Sequence, residues 1–225
     1  MIFDIIRNGF SINTVMNLLS RVFVVFCTLP IHEYAHALVA TKLGDDTARL
    51  KGRLTIAPLA HIDLLGALMI FLVGFGYAKP VPVNPRKFKN PRAGMALTAL
   101  AGPASNIIMA LFFMILSNAS FVALDKSGAL IAQVSMLFFS YAATINVSLA
   151  VFNLIPIPPL DGSRIANLLI PSKYYFKIMQ YERYIIIGVF ALIFFGILDR
   201  PLSFLTGIVM QAVNFVAGLP FRMFF

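Results

Sequence analysis

Charge is scarce in this sequence. Only 12% of its 225 residues are charged and 60% are hydrophobic, where a soluble domain averages about a quarter charged and about half apolar. Such a chain has too little polar side chain to clothe itself in water, and its mean hydropathy of +0.87 says the same. That argues against a soluble enzyme, a disordered chain and a nucleic-acid-binding module, and for an integral membrane protein. Cysteine is almost missing. Cys27 stands alone, so the chain can form no internal disulfide and no cysteine-rich metal site; it reads as a small apolar helix residue. Acids number nine and histidines three, so each one inside an apolar run stands out. No repeat or low-complexity segment is visible, and no stretch between apolar runs is long enough for a soluble domain. The chain therefore reads as one domain over 1–225, with a core at about 12–170 and a helical hairpin at about 184–219.

What the chain does have is basic charge in short loops. Eighteen Lys and Arg against nine acids give a net charge of +9, and the clusters lie between apolar runs, as the positive-inside rule requires of cytoplasmic loops. Residues 42–92 and 163–183 are the expected cytoplasmic stretches. The first span, Ile12 to Thr41, would reach about 45 Å as a helix. Arg92 to Ser117 and Ala129 to Ile155 follow as a hairpin across a short loop, Asn118 to Gly128. Tyr184 to Leu198, short for a span, and Leu202 to Leu219 form another. Leu64 to Ala78 has basic residues on both flanks, so it is expected to re-enter or lie at the interface rather than cross. Residues 2–10 suggest a short amphipathic surface helix, not a cleaved leader. Thr47 to Ile56 alternates apolar and polar residues, the period of a strand. The expected fold class is an all-α polytopic membrane protein with about five to six transmembrane or re-entrant helices and a short membrane-associated β segment.

The chemistry concentrates in His32-Glu33-Tyr34-Ala35-His36. On a helix, histidines four apart share a face and can share one metal ion. The glutamate after the first histidine can reach a metal-bound water and take its proton. Chargeable groups inside an apolar span are costly and so demand a role. A third ligand must come from elsewhere. Asp4, Asp45, Asp46, Asp125, Glu182 and Asp199 lie in loops or at ends, where solvated charge suffices. Asp63 and Asp161 are left as acids beside apolar runs. Asp161 follows the inward end of the third span. His32 and His36 lie about 15 and 9 Å from the inner end of the first. All three thus fall in the cytoplasmic half of the membrane. His61 and Asp63 read better as a local hydrogen bond than as a second metal site.

HEYAH in the first span, AGPASN in the second and NLIPIPPLDG after the third together resemble the site-2 protease family of intramembrane zinc metalloproteases, over roughly residues 20–170. GRLTIAPLAHIDLLG (52–66) and YAKPVPVNP (77–85) are similar to a compact subgroup without PDZ or CBS domains. The resemblance implies one Zn²⁺ held by His32, His36 and Asp161, with Glu33 as general base. It implies Asn153 near the substrate backbone, and Gly102 and Asn106 in close packing and polar contact near the site. The implied activity is hydrolysis of peptide bonds in or near transmembrane segments. Its partners are membrane-protein or peptide substrates and the bilayer, with no nucleic acid. The expected setting is a bacterial cell membrane, with the active site toward the cytoplasm. The 47–56 edge would either pair with unwound substrate by strand addition or lie as a surface strand whose basic residues anchor it on anionic lipid. The competing reading is a metal-binding transporter or scaffold, which would favour repeats and midplane ligands.

Overall fold

The computed structural model describes residues 11–61, 63, 79–170 and 172–222, and every regular element among them is helical. The expected surface helix at 2–10 and the expected re-entrant element at 64–78 lie outside the described residues.

Helix α1 runs Ile12–Lys42. Ser11 caps it, accepting the Thr14 N–H at 3.2 Å, and so supplies one of the partners that a helix start lacks. Its middle, Val24–Thr28, widens into a π-helical segment just ahead of Pro30. A proline ring presses on the carbonyl four residues back and offers no N–H to it. Widening the turn relieves that clash and lets the helix continue straight into the histidine motif.

Two short turns follow, α2 at Thr47–Leu50 and α3 at Pro58–His61. The β segment expected over Thr47 to Ile56 is therefore corrected to a helical turn and a loop. Asp45 decides the matter. Its Oδ1 accepts both the Thr47 N–H at 3.0 Å and the Thr47 hydroxyl at 2.5 Å. The chain then coils, with Leu50 N–H on Asp46 O and Arg53 N–H on Ala48 O at 2.8 Å. The apparent apolar face does not exist, because Ala48 is buried while Leu50 and Ile56 are exposed.

Helix α4 (Pro91–Ser127) starts with Asn90 accepting the Ala93 N–H and with Pro91 in its first turn. The loop expected at Asn118 to Gly128 is helix as far as Ser127. No glycine or proline interrupts those residues, and Gly128, at φ 62°, supplies the left-handed stop. Helix α5 (Leu130–Asn153) returns alongside. After a proline-rich turn come α6 (Asp161–Ala166), α7 (Ser172–Gln180), α8 (Glu182–Phe194) and α9 (Asp199–Gly218). Among the described residues, four stretches are long and apolar enough to cross a membrane: Ile12–Lys42, Pro91–Lys126, Leu130–Asn153 and Asp199–Phe221. The Tyr184 to Leu198 segment, expected as a further span, forms a helix of 13 residues, about 20 Å and short of a bilayer core.

The core lies where α1, α4, α5 and α9 meet. Ala110, Ala142, Ala143 and Ala217 bring the backbones close around Val24, Phe113 and Val147. Phe23 sets its ring edge-on to Phe113 and Phe138. In lipid the apolar effect gives helices little reason to associate, so small-residue packing and interhelical hydrogen bonds supply the drive. The Ser20 hydroxyl donates to Phe138 O at 2.8 Å and that of Ser117 to Met136 O at 3.1 Å.

Candidate metal centre

The second half of α1 lies against the first half of α4, and α6 packs on α4 as well. This arrangement brings His32, His36 and Asp161 together from positions 125 to 129 residues apart in the chain. One nitrogen or oxygen from each lies within 4.8 Å of the others. The two Nε2 atoms are 3.0 Å apart, and Asp161 Oδ2 is 3.5 Å from that of His32 and 3.2 Å from that of His36. Both histidines and Glu33 are buried.

The donor set fits a cation. His36 Nδ1 donates to the Thr98 carbonyl at 2.7 Å. In the neutral ring that places the proton on Nδ1 and leaves Nε2 as a bare lone pair. That lone pair faces a second imidazole nitrogen and a carboxylate oxygen. Three electron-pair donors converging in a buried space repel unless a positive charge sits among them. Two imidazoles and one carboxylate are a catalytic zinc donor set, which leaves a position open for water.

Two glycines make the convergence possible. A Cβ at Gly102 would run into His36 Nε2 and His32 Cε1, so α4 can carry no side chain where the rings cross it. A Cβ at Gly162 would run into the carbonyls of Leu154 and Ile155, which fold back over the start of α6. The dipeptide Asp161-Gly162 thus joins a candidate ligand to the close approach that aims it.

Beside the triad lies a cavity of about 470 Å³. Glu33, Val81, Val83, Asn153 and Arg164 line it with the two histidines and Asp161, and Ile186, Val189, Phe190 and Ile193 of α8 form its apolar wall. Asn153 therefore faces the space next to the triad. Asn106 does not line it. It is buried one turn beyond Gly102, and neither atom of its amide has a hydrogen-bond partner among the described residues.

The prolines make residues 79–85 extended, and they belong to the compact subgroup's motif, but the sequence did not show that they pass over Glu33. Residues 79–84 carry three prolines' worth of stiffness with Pro85 and run without helix across the site as a strap. The Val81 N–H donates to Glu33 Oε2 at 3.2 Å. The Asn84 N–H donates to Asp45 Oδ2 at 2.6 Å, and Lys87 Nζ lies 3.7 Å from Oδ1. Asp45, read from the sequence as a solvated loop acid, is fully buried. Burial would raise its pKa, but the Thr47 hydroxyl, the Asn84 and Thr47 N–H groups and Lys87 together lower it. His61 is likewise buried, and its Nε2 pairs with Thr55 O at 2.6 Å while Nδ1 has no partner among the described residues, so no bond runs from its ring to Asp63. Among the described residues no second cluster of metal-binding side chains forms.

The chain resembles known proteins along most of its length. The sequence model of Peptidase family M50 matches residues 117–196, a stretch that holds Asn153 and Asp161 but not the histidines. "Putative zinc metalloprotease YwhC" of Bacillus subtilis (strain 168) is 42% identical over 166 residues, 72% of this chain and 74% of that protein. "Putative zinc metalloprotease Rip2" of Mycolicibacterium smegmatis is 31% identical over 141 residues, 60% of this chain and 51% of that protein. "Putative zinc metalloprotease MJ0611" of Methanocaldococcus jannaschii is 32% identical over 135 residues, 60% and 62% of the two chains. No solved structure matches. With the M50 model on its C-terminal half and one relative covered over three quarters of its length at 42% identity, the chain belongs to Peptidase family M50, the site-2 protease family that its motifs resemble.

Proposed function

We propose that this protein is an intramembrane zinc endopeptidase that hydrolyses peptide bonds in or near transmembrane segments of its substrates. The observation that carries the reading is the convergence of His32, His36 and Asp161, with Glu33 buried in the same wall of one cavity. His32 Nε2, His36 Nε2 and Asp161 Oδ2 are the atoms that would hold the ion, one per chain. Bound there, zinc supplies a Lewis acid for the scissile carbonyl and an acidified water.

The residues of the chain do the rest. Glu33 takes the proton of the attacking water and returns it to the leaving amine. One of its oxygens is occupied by the Val81 N–H, which leaves the other for the water. Thr98 fixes the His36 ring through Nδ1, as outer partners commonly do for ligand histidines. Asn153, on the cavity wall, hydrogen-bonds the substrate backbone near the scissile bond. Asn106 serves the packing of α4 near the site rather than the substrate.

Strand addition by substrate is transferred from 47–56, which is a turn, to the strap. Val83 lines the cavity, and its N–H has no partner among the described residues. An unwound substrate segment would find that donor beside the triad. The apolar wall from α8 suits a lipid-embedded substrate. Basic loops flank the site end of α1 and α4, which supports a site toward the cytoplasmic face of a bacterial membrane.

The test is cleavage of a transmembrane peptide in proteoliposomes by wild type and Glu33→Gln. The variant is expected to keep its zinc and lose cleavage. Cleavage that persists at the wild-type rate would remove Glu33 from the mechanism.

A further inference from the structure

Arg53 is buried, yet among the described residues it pairs with no carboxylate. A guanidinium is rarely hidden without a purpose, since removing it from water is costly. Here one of its terminal nitrogens, Nη2, donates to two successive carbonyls of the strap, Lys79 O and, at 3.1 Å, Pro80 O. The Pro80 carbonyl belongs to the same peptide group as the Val81 N–H, which reaches Glu33 Oε2. From the other side, His61 O accepts the Lys79 N–H at 2.8 Å. The strap entrance is therefore held on both edges, immediately before the residue that touches the general base.

We infer that Arg53 is a positioning residue for the peptidase reaction: by holding the Lys79 and Pro80 carbonyls it aims the Val81 N–H at Glu33 and keeps that carboxylate oriented for proton transfer. The inference rests on Glu33 acting as the general base. The physical reason is the stiffness of the strap. Pro80 and Pro82 fix φ on either side of Val81 and leave its N–H as the one donor among those three residues. A rigid rod fastened by its first two carbonyls has little freedom left for the third residue. Freed from Arg53, it pivots, and the Val81 N–H leaves the carboxylate. Arg53 itself does not line the cavity, so its effect on catalysis has to pass through the strap.

The experiment is a double-mutant cycle on zinc-loaded protein in proteoliposomes, with Arg53→Met and Val81→Pro as the two single changes. Val81 precedes Pro82 and already lies in non-helical backbone, so proline there removes the N–H without asking for a new fold. Each variant is expected to keep its zinc and to lose about 10- to 100-fold in kcat, with KM changed less than about twofold. The double variant should lose no more than the worse single variant, because both changes break the same link. Arg53→Lys should recover most of the loss, since one ammonium can donate to both carbonyls.

Losses that multiply would overturn the inference, as would an Arg53→Met enzyme with wild-type kcat. Should Arg53→Met fail to fold, the cycle is run with Arg53→Gln against Val81→Pro, and multiplying losses overturn it equally. Glu33→Gln is measured alongside. If that variant still cleaves, the reading of Glu33 fails. If it is inactive while Arg53→Met is unaffected, this inference alone fails.

Discussion

Gly102 shows how little tolerance the site has at the level of single atoms. The two imidazoles occupy the place where its Cβ would be. Alanine is the better helix former by about 1 kcal/mol, so Gly102→Ala should leave the helix content intact. Its cost falls on the ligands, and zinc affinity should drop by about 10- to 100-fold, read by competition with a chelator. Unchanged affinity would mean that the rings have another place to go. The sequence showed His32, Glu33 and His36 directly, because four-residue spacing on a helix needs no partner to be recognised. It narrowed the third ligand to Asp63 or Asp161 by the scarcity of acids. It could not show Asp45, Arg53 or Val81. Each of these acts through backbone atoms of a distant segment, and such contacts leave no pattern in composition or spacing.

At the scale of elements, the strap and α2 depend on one carboxylate. Asp45 bonds Thr47 on the α2 side and Asn84 on the strap side while buried. Asp45→Ala leaves those N–H groups without their acceptor and should cost about 1–3 kcal/mol, measured by thermal unfolding in detergent. The pH dependence has a definite sign. The folded pKa lies below the ordinary value of 3.8, so the stabilisation is complete above about pH 4 and is lost as pH falls through the lowered pKa. Asp45→Ala should flatten that acid limb; an unchanged limb would show that Asp45 is not its source. Asp45 also explains why alternation misled. Period two across 47–56 was real, but a buried cap two residues earlier offered the backbone nearer hydrogen bonds than any strand partner. The longer-than-expected α4 has the converse cause. Asn118 and Ser120 read as loop residues, yet a Ser hydroxyl can bond back within a helix, as Ser120 does to Leu116 O at 2.8 Å.

For the whole molecule, the site is assembled from motifs far apart in the chain, within a described fold that has four long apolar helices. Lys87 reaches Asp45 just beyond the end of α1, so the basic loops at 42–53 and 86–92 lie on one side of the molecule. Lys126 ends the 37-residue α4 at its other end, about 55 Å away along the axis. Single cysteines placed at Lys42, Lys89 and Lys126 in a Cys27→Ala chain should report this with a membrane-impermeant thiol reagent. The first two should label from the same face and the third from the opposite one. Labelling of all three from one face would refute the orientation of α4. The central claim, though, is that two motifs more than a hundred residues apart make one metal site. It is tested most directly by the zinc content of the detergent-purified protein, wild type beside Asp161→Ala, with helix content checked by circular dichroism. The account predicts about one zinc per chain in the wild type and a clear loss in a variant that is still helical. Zinc retained in full by Asp161→Ala would contradict it.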